Sequence, residues 1–104
     1  MLGLAMKAGK VVSGEFATDK GVKTGKAYLV IVSEDASDNT KKMFSNMCEF
    51  YQVPIFYYGT KEEIGHSIGK AMRSSLAITD ENFANSLIKH LKQSVNSEGK
   101  EELE

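Results

Sequence analysis

The sequence predicts an α/β fold, a three-layer α/β/α sandwich with helices covering both faces of one sheet. Three observations lead to it. Helical and extended patterns alternate along the whole chain, starting and ending on a helix, with connections of only a few residues. The segment Leu29–Val32 is an ungapped aliphatic run, which suits a strand buried on both faces, because both sets of alternating side chains are then apolar. The longer helical segments carry apolar residues at i, i+3, i+4 and i+7, one side each, as helices packed on a sheet do.

The elements follow in order. Leu2, Leu4, Ala5 and Ala8 give a short helical pattern closed by Gly9. Residues 10–13 are a short strand stopped by Gly14. Residues 15–24 form a helix with a thin apolar side; Gly21 within it costs about 1 kcal/mol against alanine and points to close packing on the sheet. Gly25 ends this helix. The central strand follows, and after it Ser37 is placed to cap a helix with Asp38 in its first turn. That helix is expected to bury Phe44, Met47, Cys48 and Tyr51 before Val53-Pro54 breaks it. Residues 55–58 make a third strand, also apolar on both faces. Thr60-Lys61-Glu62-Glu63 is a capping box, opening a helix with Ile64 and Ile68 inward. Residues 69–75 are a loop and residues 76–78 the fourth strand. Thr79 or Asp80 caps a last helix whose inward residues are Phe83, Ala84, Leu87, Ile88, Leu91 and Val95. Residues 1–96 read as a single domain, and 97–104 as an acidic tail expected to be disordered.

At 104 residues the chain is long enough for one hydrophobic core without disulfides or a structural metal. A single cysteine excludes an internal disulfide framework and favours a cytoplasmic protein. The opening residues are too soon followed by Lys7 and Lys10 for a signal peptide. The net charge of −1 conceals a segregation. Residues 1–26 carry five lysines against Glu15 and Asp19, and residues 98–104 carry four glutamates against Lys100. A basic N-terminal part keeps nucleic acid open as a partner despite the acidic pI.

Few residues carry catalytic chemistry. Glu34 and Asp35 are adjacent, so on a strand they point to opposite faces and do not converge. A receiver-type acidic site would need a third aspartate after the next strand, where Gly59-Thr60 stands. Asp35 is therefore expected to fix the turn into the next helix. Cys48 sits on an inward helix face and reads as an inert thiol. His66 and His90 are isolated and no HxxxH or CxxC occurs, so no metal site is expected. No glycine-rich nucleotide motif follows a strand, and no cofactor is expected.

Residues 14–20 differ. A strand ends, a glycine allows close backbone approach and a helix begins, so its free amides attract a phosphate or a polar base edge. Lys20 lies just along it, flanked by Lys10, Lys23 and Lys26. An ordinary strand-to-helix junction with solvated lysines fits the same pattern. Met72-Arg73-Ser74-Ser75 is a second loop feature, a flexible apolar side chain beside an arginine.

Five stretches in order carry a resemblance: Leu2-Gly3-Leu4-Ala5; Ala8-Gly9-Lys10-Val11-Val12-Ser13-Gly14; Ser33-Glu34-Asp35-Ala36-Ser37; Cys48 with Val53-Pro54; and Ile64-Gly65-His66-Ser67-Ile68-Gly69-Lys70. Together they resemble the kink-turn-binding ribosomal protein family of the L-seven-Ae type, nearest its small bacterial members of the YlxQ kind. The resemblance implies an α/β/α sandwich around a four-stranded mixed sheet and a non-enzymatic, ribosomal-protein-type chain that binds structured RNA. A kink-turn, an RNA helix bent at a bulge beside sheared G·A pairs, is the implied target, and ribosomal RNA one source of it. By position it implies that Gly14 and Glu15 approach the RNA backbone and that Lys20 reaches guanines or phosphates. It implies that Lys61 contacts the backbone, that Ser37 lies near a flipped-out base, and that Met72, Arg73 and Ser74 clamp extruded nucleotides. The family's asparagine and glutamate fall on Phe16 and Ala17, a departure that removes two polar groups used in base readout. Phe16 is then either a stacking platform for an unpaired base or part of the core, with the core favoured. A protein-interaction module on the same fold is the alternative.

Overall fold

A computed structural model describes residues 2–103, with side chains described for residues 2–93. The inward placement expected of Val95 falls outside the side chains so described; residues 97–103, part of the tail expected to be disordered, continue α5. The order is α1 (Leu2–Lys7), β1 (Val11–Ser13), α2 (Glu15–Lys23), β2 (Leu29–Val32), α3 (Asp38–Tyr51), β3 (Ile55–Tyr57), α4 (Lys61–Ser67), β4 (Ser75–Ile78) and α5 (Glu81–Leu103).

The four strands form one mixed sheet in the order β1-β4-β2-β3. β4 runs antiparallel to both β1 and β2, and β3 lies parallel to β2. Strands β1, β2 and β3 therefore all end at the edge of the sheet where β4 begins.

Alternation along the strands sends each side chain to one of two layers. Leu29 and Ile31 of β2 and Leu76 and Ile78 of β4 pack with Ala5, Ile64, Ile68, Ala84, Leu87 and Leu91, from α1, the α4 segment and α5. Val30, Val32 and Ala77 point the other way, to Val22 of α2 and to Phe44 and Cys48 of α3. The two central strands are buried along their whole length. Gly21 faces the sheet, but a methyl group there would lie at ordinary contact distances of 3.7–3.9 Å from Val12, Ala27 and Ala77, so the close packing expected of this glycine does not require it.

Helix starts follow local chemistry. The Ser37 hydroxyl accepts from Thr40 N at 3.1 Å. Thr60 and Glu63 complete both arms of the capping box. Of the two candidates before α5, Asp80 is the cap, its carboxylate accepting from Phe83 N at 3.0 Å.

Two expectations are corrected. Strand β3 is not buried on both faces: it lies at the rim of the sheet, and Tyr57 and Tyr58 are exposed. An aliphatic run alone does not reveal whether a strand has one neighbour or two. Tyr51 is likewise exposed, because it lies in the last turn of α3, while Met43 and Met47 pack partly buried against the core.

Candidate nucleic-acid interface

Main-chain bonds draw four separate connections into one row at the end of the sheet. Gly14 N donates to Ser75 O at 2.9 Å, Ser33 N to Ser74 O at 2.9 Å and Glu34 N to Gly59 O at 2.8 Å. The junctions after β1, β2 and β3 and the loop before β4 thus become neighbours. The hydroxyls of Thr18, Ser33 and Ser75 are buried near this end.

The start of α2 is unlike the other helix starts that follow a strand. Gly14 has φ 93° and ψ 160°, a conformation that L side chains rarely adopt, and no side chain caps the helix. The first-turn N–H groups therefore remain available to an anion or a base edge, and the helix dipole adds to that attraction.

A groove opens beside this helix start. Its walls are Ser13, Gly14, Glu15, Phe16 and Ala17 on one side and Met72, Arg73 and Ser74 on the other. Six of the nine residues expected to touch RNA thus share one surface. Phe16 is 82% exposed and Met72 64%. The first value corrects the expectation that Phe16 belongs to the core: it lies on the outer side of α2, whose inward positions are Thr18, Gly21 and Val22. Lys20 stands outside this groove, on an adjoining hollow that it shares with Phe16.

The wall formed by residues 72–74 is held from three directions. Arg73 Nε donates to Ser13 Oγ at 3.2 Å and its Nη1 to Met72 O at 3.0 Å, while Arg73 N donates to Lys61 O at 3.0 Å. Beneath, Gly65 is the floor: a Cβ built there would fall 2.0 Å from Ala71 O, and Lys70 N donates to Gly65 O at 2.8 Å.

The remaining two expected residues lie further along the row. Ser37 uses its hydroxyl in capping α3 and in a 2.9 Å bond to Thr40 Oγ1. Lys61 N donates to Asp35 Oδ1 at 2.9 Å. This corrects the local role expected of Asp35: its carboxylate holds the start of α4, not that of α3. Partial desolvation pushes the Asp35 carboxyl up, but the Lys61 N–H bond, a hydrogen bond from the Ser33 hydroxyl and the Lys61 charge outweigh it and leave its pKa below the ordinary value of 3.8. Ser13, Gly65 and Asp35 thus position the groove. Of the three, Gly65 alone leaves a trace in the sequence, a glycine inside a helical pattern.

Burial pushes the Cys48 thiol up to about 11, far from a reactive thiolate. No cluster of metal-ligating side chains occurs among the described residues. Among the described residues, no helix is long and apolar enough to cross a membrane.

Comparison with known proteins agrees with this architecture. The chain is 46% identical over 88 residues to the RNA-binding protein YlxQ of Bacillus subtilis, covering 85% of this chain and 88% of that protein. It is 42% identical to the RNA-binding protein YlxQ of Enterococcus faecium, covering 81% of each. The large ribosomal subunit protein eL30 of Neurospora crassa is 36% identical, covering 76% of this chain and 74% of its own length. Among solved structures, a protein of unknown function from Bacillus halodurans superposes with a TM-score of 0.82 at 36% identity, over 85% of this chain and 89% of its own. The Giardia lamblia 15.5kD RNA binding protein shares the fold, with a TM-score of 0.74 at 21% identity over 92% of this chain and 82% of its own. Apart from the Bacillus halodurans protein, these relatives are named for RNA binding or for the ribosome and not for a reaction, in agreement with a non-enzymatic chain. The model of the family described as ribosomal protein L7Ae/L30e/S12e/Gadd45 matches residues 1–88, and the chain belongs to that family.

Proposed function

We propose that this chain is a non-enzymatic RNA-binding protein that holds a sharply bent RNA, of the kink-turn type or similar, in its bent form. The observation that carries the reading is the uncapped start of α2 at Gly14, open onto a groove whose opposite wall is residues 72–74. A protein that binds the bent form more tightly than the extended one shifts the RNA toward it by that difference in affinity.

Roles follow from the chemistry of each group. The amides after Gly14 face a phosphate or a base edge. Glu15 only accepts hydrogen bonds, so it suits the amino groups of bases and not phosphates. The exposed Phe16 ring is a stacking platform in place of the polar pair that the family resemblance implies. Lys20 and Lys61 supply charge to the RNA backbone, and Met72, Arg73 and Ser74 close on an extruded nucleotide. Ser37 stands at the periphery of this face. Ribosomal RNA in the cytoplasm is the natural source of such a target.

Titration of a kink-turn RNA by fluorescence anisotropy tests the proposal. Lys20→Ala is expected to weaken binding several-fold and to lower the salt slope by about one counterion. Phe16→Ala is expected to weaken it about fivefold or more, the worth of one stacked base. Unchanged affinity in both variants would remove this face from the reading. A second reading, a protein-contact module, has one observation behind it: Phe50 is 78% exposed and forms an edge-to-face pair with the partly exposed Tyr51 at the far end of α3.

A further inference from the structure

The groove beside Gly14 does not end at Phe16. The same ring borders a second, adjoining hollow of about 330 Å³ along the outer edge of the molecule, between α2 and strand β1. Its floor is apolar, from Val12, Ala17 and Gly21, and Lys20 and Lys26 stand on its rim. Strand β1 has β4 as its one neighbour in the sheet, so this side of the molecule is open.

The charge around the hollow is basic. Lys20 and Lys26 are both exposed. The one ion pair among the described residues is Lys23 Nζ–Asp19 Oδ1 at 3.1 Å, so neither rim lysine is neutralised by a carboxylate. An apolar floor between two free cations matches an unpaired nucleotide: the base covers the floor and its phosphates face the ammonium groups. A paired RNA helix does not fit such a narrow place, since its bases are stacked inside.

We infer that the hollow between α2 and β1 binds an unpaired stretch of RNA that leaves the bent element over Phe16. This rests on the RNA-binding reading above and extends the contacted RNA by one or two nucleotides beyond it. Lys26, which no part of the family resemblance singles out, becomes a contact residue for the flanking strand. Its own main chain is anchored by Lys26 N donating to Gly21 O at 3.0 Å, so the side chain can be changed without loss of the turn.

The test compares three forms of one kink-turn RNA: blunt, with a four-nucleotide single-stranded extension at the 5′ end, and with the same extension at the 3′ end. Affinities are measured for the wild-type chain and for Lys26→Glu. One extended form is expected to bind about fivefold or more tightly than the blunt form. Lys26→Glu is expected to abolish that gain and to leave the blunt RNA bound within about twofold of wild type. A photoreactive uridine in the extension is expected to crosslink to the peptide containing residues 12–26. No gain from either extension, or a gain that survives Lys26→Glu, overturns the inference while the bent-RNA reading stands. Failure of the wild-type chain to bind any of the three forms overturns both.

Discussion

The β1–α2 and β2–α3 junctions leave the same end of the same sheet, and each opens a helix on the same face. They are built in opposite ways. At β2–α3 the side chains close the local polar groups: Ser37 caps the helix, and Asp35 reaches across to Lys61 N. At β1–α2 a glycine at φ 93° stands where a cap would be, and a phenylalanine lies 82% exposed two residues on. The chain plainly has side chains that cap helices, since it uses Ser37, Thr60 and Asp80 at the other three. The open start of α2 is therefore a property of that junction and not of the fold, and the contrast separates a surface kept free for a ligand from one that holds the scaffold.

The largest expected effect removes the groove that makes the first junction different. Gly65→Ala places a methyl group 2.0 Å from Ala71 O, a collision with main chain that no side-chain movement relieves. The variant is expected to lose about 3 kcal/mol of stability or to push residues 70–73 off α4. Gly21→Ala is the matched control, because its methyl group meets only ordinary contacts and alanine favours the helix by about 1 kcal/mol. Urea unfolding of both variants checks the pair: loss in the first and a small gain in the second. If Gly65→Ala retains wild-type stability and RNA affinity, residues 70–73 are not seated as described.

The next effect is smaller and acts on the junction itself. Gly14→Ala must hold φ 93° with a Cβ and is expected to cost about 1–3 kcal/mol, although nothing crowds the position. Ser37→Ala at the other junction loses one cap and is expected to cost about 1 kcal/mol. Thermal unfolding orders the two. Equal costs would mean that the conformation at Gly14 is not held by the fold.

What the sequence showed and what it hid divide by distance along the chain. The nine elements, the Ser37 cap and the Thr60–Glu63 box are set by residues three or four apart, so periodicity and capping rules reached them. The two layers followed from the alternation of Leu29, Val30, Ile31 and Val32. The edge position of β3 depends on which strands pair, which no local pattern records. Phe16 was misplaced because the apolar side of α2 is thin: Thr18 and Gly21 take inward positions that a hydrophobic residue would have marked. The bond from Lys61 to Asp35 joins residues 26 apart, and the seat of Ala71 on Gly65 is a matter of backbone contact. Expected RNA-contact residues came from the family resemblance; the structure adds that six of them share one groove.

The smallest effect sharpens the comparison through pH. Asp35 has a folded-state pKa below its ordinary value of 3.8, because the Lys61 N–H bond, a Ser33 hydrogen bond and the Lys61 charge favour the carboxylate and outweigh desolvation. A carboxyl lowered on folding stabilises the fold above its unfolded-state pKa, and that stability is lost as pH falls toward and through the folded-state value. No such group serves the β1–α2 junction, where the helix start has no side-chain cap to protonate. Acidification from about pH 5 to pH 3 should therefore loosen the start of α4, with Lys61 and the wall at Arg73 that hangs from it, before it strains Gly14. Asp35→Asn keeps the acceptor oxygen and removes the titration. The variant is expected to be slightly less stable than wild type at pH 7 and to lose less on acidification, so that the two melting curves converge as pH falls through the folded-state value. Asp35 is solvent-exposed, so added salt should reduce the difference. Parallel curves for wild type and variant across that range would show that Asp35 does not hold α4, leaving the capping box as the sole anchor of that helix start.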